Sequence, residues 1–201
     1  EASCQFSGPR RRVEEAYGVR LHNLSGASEL PGFTSTDCRF HTGLHVSANH
    51  HIVQVVDAET GQEVPDGERG HLVVSAFGLD AFALRYDLED IVSKSTDPCP
   101  CGETGPRYTF WGRGADAAVV DGKRILPLDV QLALDSLGVP EFRMVPGECD
   151  VLTLSVEYEK SPADIATLIE EYLGVRSKVT TVEIGSLPRA TFKPRRIEVT
   201  K

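Results

Sequence analysis

Apolar and polar positions change rhythm along this chain, and the change divides it into two textures. Over residues 9–18 Pro9, Val13, Ala16 and Tyr17 recur three and four apart, and Gly18 follows the last turn, which predicts the end of a helix. Residues 19–24 read as a strand. Residues 45–57 alternate loosely and are rich in Val and Ile, and the turn signals Glu59-Thr60-Gly61 and Pro65-Asp66-Gly67 come next. With strands expected over 70–75, 84–86 and 91–92, this half reads as an antiparallel, hairpin-rich region up to Trp111-Gly112-Arg113-Gly114.

Beyond Gly114 short strands are expected at 117–120 and 124–126 around an Asp121-Gly122 turn. A helix opened by Pro127 follows, with Val130, Leu134 and Leu137 on one face. Residues 151–157 alternate strictly, the mark of a half-buried strand. Ser161-Pro162-Ala163-Asp164 predicts a helix start in which serine caps, proline takes the first position and aspartate closes a capping box. Ile165, Leu168, Ile169 and Tyr172 then share a face, Gly174 ends the helix, and a last strand is expected over 179–184. The expected fold class is α/β (α+β), with a β-rich region over 1–114 and a small α/β domain over 115–201 whose helices cover one sheet face.

Composition narrows the function. Hydrophobic content of 40% and charged content of 25% are those of an ordinary globular protein. No apolar run approaches the ~20 residues of a membrane span, so no membrane partner is expected. A net charge of −9 argues against a nucleic-acid partner, because Arg10-Arg11-Arg12 and Arg195-Arg196 are too short to make a basic face. The chain starts at Glu1 without methionine or leader and reads as a piece of something longer. Five cysteines do not make an even disulfide framework. Metal binding or free thiols in a reducing, cytoplasmic setting are expected instead.

Three thiols and one imidazole, Cys38, His45, Cys99 and Cys101, form a set that suits tetrahedral Zn²⁺, with His41 as the alternative imidazole and unlinked free cysteines as the plain alternative. Four protein ligands leave no open position, so a structural ion is expected. His22 and the His50-His51 pair are assigned no role, and Cys4 and Cys149 are taken as incidental. The tail from Gly185 to Arg196 carries one lysine, Lys193, among arginines. A lysine is a compact, mobile point charge able to follow negative charge as it develops.

Taken in order, Ser25-Gly26-Ala27-Ser28-Glu29, Gly43-Leu44-His45, Thr60-Gly61 through Gly70, Arg85-Tyr86 through Asp90, Gly112-Arg113 and Pro188-Arg189 through Lys193 make the chain resemble the C-terminal portion of the phenylacetate–CoA ligase family of acyl-adenylate-forming ligases. The resemblance implies ATP-dependent activation of an aryl or arylacetic acid as an acyl-adenylate and transfer to coenzyme A. Lys193 and Glu29 become the catalytic pair, with Glu29 holding Mg²⁺, an ion that favours hard oxygen donors. Gly26, Ser28, Asp90 and Arg113 become nucleotide-binding, Asp90 as acceptor for the ribose hydroxyls. Residues 1–114 would be the end of the large adenylate-binding domain and 115–201 a mobile domain. That domain would swing Lys193 out and the Asp121-Gly122-Lys123 turn in, with Gly122 in the coenzyme A loop.

Members of the family carry similar Cys…Gly-Leu-His and Cys-Pro-Cys-Gly segments, which supports the zinc set. The ATP phosphate loop and most of the acyl pocket would lie upstream, so the chain alone is expected to be inactive, and a homodimer is compatible with this reading. Departures from the family pattern are Ser25 for a tyrosine, Ala115 at a position commonly aspartate, and Phe192 for a glycine. They favour one alternative, a non-catalytic zinc-stabilised interaction module; a further alternative, an adenylating enzyme that uses an amine or carrier-protein acceptor, differs only in the second half-reaction.

Overall fold

The computed structural model describes residues 2–77, 83–145, 150–189 and 196–197. The chain forms two compact units, Glu1–Gly114 and Ala115–Lys201.

In the first unit, α1 (Ser7–Tyr17) ends at Gly18, whose φ of 63° is the left-handed conformation that closes a helix at little cost for glycine. Residues 19–23 are irregular rather than a strand; only β1 (Leu24–Ser25) pairs, with β2 (Ser35–Asp37). Then come β3 (Leu44–Val46), β4 (His51–Val56), β5 (Arg69–Ala76), β6 (Ala83–Ser95) and β7 (Arg107–Arg113). They build a seven-stranded sheet in the order β1-β2-β3-β7-β6-β5-β4. Every pairing in it is antiparallel. The two short strands expected at 84–86 and 91–92 belong to the single strand β6, and β2 and β7 were not anticipated. Leu44, Leu72, Val74, Val92 and Tyr108 are buried in one cluster, so the core lies against the middle of the sheet.

In the second unit, β8 (Ala118–Val120) and β9 (Lys123–Ile125) form a hairpin. Its turn residues, Asp121 at φ 51° and Gly122 at φ 74°, are both left-handed, as a tight hairpin turn demands. Next in the chain are α2 (Pro127–Ala133), β10 (Phe142–Val145), β11 (Leu152–Glu157), α3 (Pro162–Leu173) and β12 (Ser177–Val182). β11 pairs antiparallel with β10 and parallel with β12, and α3 makes the crossover that a parallel pair needs. The capping differs from expectation. Ser161 Oγ accepts from the N–H of Ala163, whereas a carboxylate-to-backbone bond of capping-box type occurs at α2, where Leu126 N–H donates to Asp129 Oδ2 at 2.9 Å. Val130, Leu134, Phe142, Met144, Leu154, Val156, Ile165 and Ile169 fill a second core.

Candidate functional site

The sheet order explains how ligands 61 residues apart meet. β3 is only three residues long and lies between β2 and β7, with His45 opposite Arg107, so the loop that enters β3 and the Cys-Pro-Cys segment that leads into β7 both flank His45. Cys38 Sγ is 3.7 Å from Cys99 Sγ, and His45 Nε2 is 3.5 Å from Cys101 Sγ. The four donor atoms all lie within 4.8 Å of one another.

Bond lengths of about 2.3 Å to sulfur and 2.0–2.1 Å to nitrogen give tetrahedral edges of roughly 3.8 Å between sulfurs and 3.5 Å between sulfur and nitrogen. The observed spacings fit those edges. They are also far too long for a disulfide, and Cys38, Cys99 and Cys101 are free thiols. His45, not His41, faces the sulfurs, because His41 Nδ1 is bonded to Asp37 Oδ2 at 2.7 Å.

Two residues that the patterning did not single out hold the loops in place. Thr42 Oγ1 lies 3.4 Å from Cys99 Sγ. Arg107 is buried; its Nη1 donates to Thr42 O at 2.9 Å and also bonds Thr42 Oγ1, and its Nη2 donates to Asp97 O at 2.8 Å. One guanidinium therefore ties the Cys38–His45 loop to the Cys99–Cys101 loop. Gly43 allows the approach: it sits at φ 119°, and a Cβ there would lie 3.3 Å from Arg107 Cβ. An arginine in the first strand position after Cys-Pro-Cys-Gly was the only trace of this in the sequence.

The electrostatics suit a cation. The hydrogen bond from Thr42, then the backbone N–H of Cys101, pulls the Cys99 thiol down to about 6. Cys101 is opposed: the Glu103 N–H lowers it, but burial and the neighbouring Cys99 and Cys38 sulfurs outweigh that and raise it. Sulfurs this close cannot all ionise comfortably unless a cation shares their charge. The residues present thus fit Zn²⁺.

The residues expected to contact nucleotide occupy two places in the first unit. Gly26, Ser28 and Glu29 lie in the β1–β2 loop, with Ser28 and Glu29 exposed and Ser28 Oγ donating to Glu29 Oε2 at 3.4 Å. That loop is anchored by hydroxyls: Tyr108 OH donates to Ser25 Oγ at 2.9 Å, and Ser35 Oγ bonds Tyr108 OH at 2.6 Å. Asp90 and Arg113 come together elsewhere, paired across β6 and β7, with Arg113 Nε 3.4 Å from Asp90 Oδ1. Asp90 is mostly buried and Arg113 is exposed, so the pair presents a carboxylate backed by a solvent-facing guanidinium.

In the second unit Gly122 sits at the tip of the β8–β9 hairpin, and Lys123 Nζ donates to Gly174 O at 2.9 Å. Lys193, Phe192 and Cys149 lie outside the described residues. The backbone on both sides of 190–195 is anchored by buried carboxylates. Arg189 makes a two-pronged bond to Glu157, at 2.8 and 2.7 Å, and Glu157 also accepts from Leu187 N–H. Arg196 donates to Glu141 Oε1 at 2.8 Å, and Ile197 bridges to Met144.

A sheet-rich mixed α/β chain of this topology matches part of the structures of adenylate-forming ligases. It superposes on 2-hydroxyisobutyryl-CoA ligase in the postadenylation state, in complex with R3-HIB-AMP, with a TM-score of 0.88 and 26% identity over 99% of this chain and 47% of that one. An anthranilate CoA ligase in complex with anthranoyl-AMP shares the fold at 18% identity and a TM-score of 0.63, over 97% of this chain and 41% of that one. No family model matches the chain.

More particularly, the chain is homologous to phenylacetate–coenzyme A ligases over about half of their length. It is 29% identical to the enzyme of Thermus thermophilus, covering 90% of this chain and 48% of that protein, and 23% identical to that of Aromatoleum evansii, covering 94% and 47%.

Proposed function

We propose that this chain is the C-terminal part of an AMP-forming acid–thiol ligase that activates an aryl or arylacetic acid with ATP and passes it to coenzyme A. The observation that carries this reading is the homology with phenylacetate–coenzyme A ligases along 90% of the chain. The chain spans about half the length of these relatives, so the reading concerns the longer protein of which it would be a part.

In this reading Lys193 supplies positive charge to the α-phosphate and carboxylate as adenylation proceeds, an electrostatic role suited to its mobile ammonium. Glu29 offers Mg²⁺ a hard oxygen. Asp90 accepts from the ribose hydroxyls, and Arg113 beside it contacts the ribose or phosphate region. Gly122 provides a side-chain-free tip to the hairpin along which coenzyme A would pass. Cys38, His45, Cys99 and Cys101 hold a structural Zn²⁺, which closes the two loops, and a reducing cytoplasmic setting keeps their thiols available. The matching 2-hydroxyisobutyryl-CoA ligase favours a second reading of the acid alone, a small branched hydroxy acid.

Lys193→Ala in the full-length protein tests the assignment by ATP–pyrophosphate exchange. A loss of about 10²-fold with the fold retained is expected, the scale for removing a group that stabilises transition-state charge. Unchanged exchange removes Lys193 as the adenylation lysine, and no exchange by the full-length parent sinks the enzymatic reading in favour of a non-catalytic module. Phenylacetate against 2-hydroxyisobutyrate as acid, and coenzyme A against amines as acceptor, then separate the finer alternatives. The 201-residue chain by itself is expected to give no exchange.

A further inference from the structure

A second group of ligand-bearing side chains, His22, Asp37 and His41, lies beside the thiol quartet and shares none of its residues. Asp37 ends β2 with only 5% of its side chain exposed, and its N–H donates to Asn23 O at 2.9 Å, which sets His22 alongside it. His41 returns from the turn after Cys38, its N–H donating to Cys38 O at 3.0 Å and its φ at 52°, a left-handed value uncommon outside glycine. The two imidazoles take one carboxylate oxygen each: His22 Nδ1 lies 3.0 Å from Oδ1 and His41 Nδ1 lies 2.7 Å from Oδ2.

This arrangement has a chemical consequence. A buried carboxylate that accepts from both Nδ1–H groups fixes both tautomers and leaves each Nε2 with its lone pair free to ligate an ion. The ring centroids are 5.3 Å apart. Two imidazoles bound to one ion at 2.0–2.1 Å and a tetrahedral angle place their centroids about 5 Å apart, a separation these rings already have. His22 is 47% exposed, which gives an ion a route from solvent.

We propose that His22 and His41, oriented by Asp37, bind a second divalent transition-metal ion on the face of the β2–β3 loop. Imidazole donors select zinc, cobalt, nickel or copper over magnesium and calcium. Unlike the quartet, this site uses only two imidazoles and their supporting carboxylate, so at least one coordination position stays open to water or an oxygen- or sulfur-bearing ligand. It does not depend on the ligase reading.

Cobalt separates the two sites, because thiolate ligands give Co²⁺ an intense charge-transfer absorption that nitrogen and oxygen ligands do not. The intact chain, dialysed against Co²⁺ and then analysed for metal, is expected to hold two equivalents, with the thiolate absorption complete after the first. His22→Ala should lower the content to one and leave that absorption unchanged; His22→Gln, which keeps bulk and polarity, should do the same. Cys99→Ser should do the reverse, weakening the thiolate absorption while the His22-dependent equivalent remains. A His22-dependent equivalent without any thiolate absorption would support this site and remove the quartet. Uptake by the wild type of a single equivalent that carries the thiolate absorption, or two equivalents retained in His22→Ala, overturns the proposal: the histidines would then only brace Asp37.

Discussion

Thr42 and Arg107 show how single side chains outside a ligand set can decide whether it forms. The Arg107 guanidinium holds Thr42 of one cysteine-bearing loop with one nitrogen and Asp97 of the other with the second. Arg107→Ala is therefore expected to weaken zinc binding by roughly 10–100-fold, the usual cost of removing a group that orients metal ligands. Competition against a chromophoric chelator measures it, and an unchanged affinity would mean that the loops are ordered by their backbone alone. The donor types were readable from the chain, since thiols and imidazoles advertise themselves. Thr42 and Arg107 were not, because a threonine and an arginine acquire this role only by lying across from one another.

The tail anchors of the second unit make the case for elements. Glu157 ends β11 fully buried, and the hydrogen bond from Arg189, helped by the N–H groups of Leu187 and Gly185, holds its carboxyl near 2 against an ordinary 4.5. A folded value below the unfolded one stabilises the fold above the unfolded value, and that stability fades as pH falls from about 5 toward 2. Acid titration of unfolding should show this slope, and Glu157→Gln should flatten it. At neutral pH Glu157→Gln should cost on the order of 2 kcal/mol, less than the 3–5 kcal/mol of a wholly buried pair because Arg189 is half-exposed. A variant as stable as the parent, with the acid slope intact, would remove Glu157 as the anchor.

The same residue explains part of what periodicity can report. β11 alternates cleanly until Glu157, which is buried where an exposed residue would be expected because its partner comes from 32 residues away. β6 hides for a different reason. Arg85 at φ 48° and Glu89 at φ 57° break its pleat, and the register with β5 shifts around Val73 and Val74, so no two-residue rhythm survives along its 13 residues. β1 and β2, of two and three residues, are too short to show a rhythm at all.

At the scale of the whole molecule, two hydrophobic cores lie in two compact units, and the thiol quartet belongs to the first. Removing metal with a chelator is accordingly expected to lower the unfolding temperature of residues 1–114 and to leave 115–201 unchanged, as followed by hydrogen exchange in each unit. Equal loss of protection in both units would contradict this. The chain's own residues determined what is local: the helix ended by Gly18, the serine-capped helix at Ser161, the Asp121-Gly122 turn, and the kinds of donor atom available to a metal. These follow from conformational preferences and bonding within a few neighbours.

Only the tertiary structure decided between His45 and the alternative His41, since spacings of three and seven residues from Cys38 both allow a metal ligand. Strand pairing sets His45 opposite Arg107, beside the turn that carries Cys99 and Cys101, while the backbone at His41 turns its ring to Asp37. Ligands separated by 56 and 61 residues are brought within a bond's reach by the order of strands in a sheet, and that order is a property of packing rather than of any local stretch.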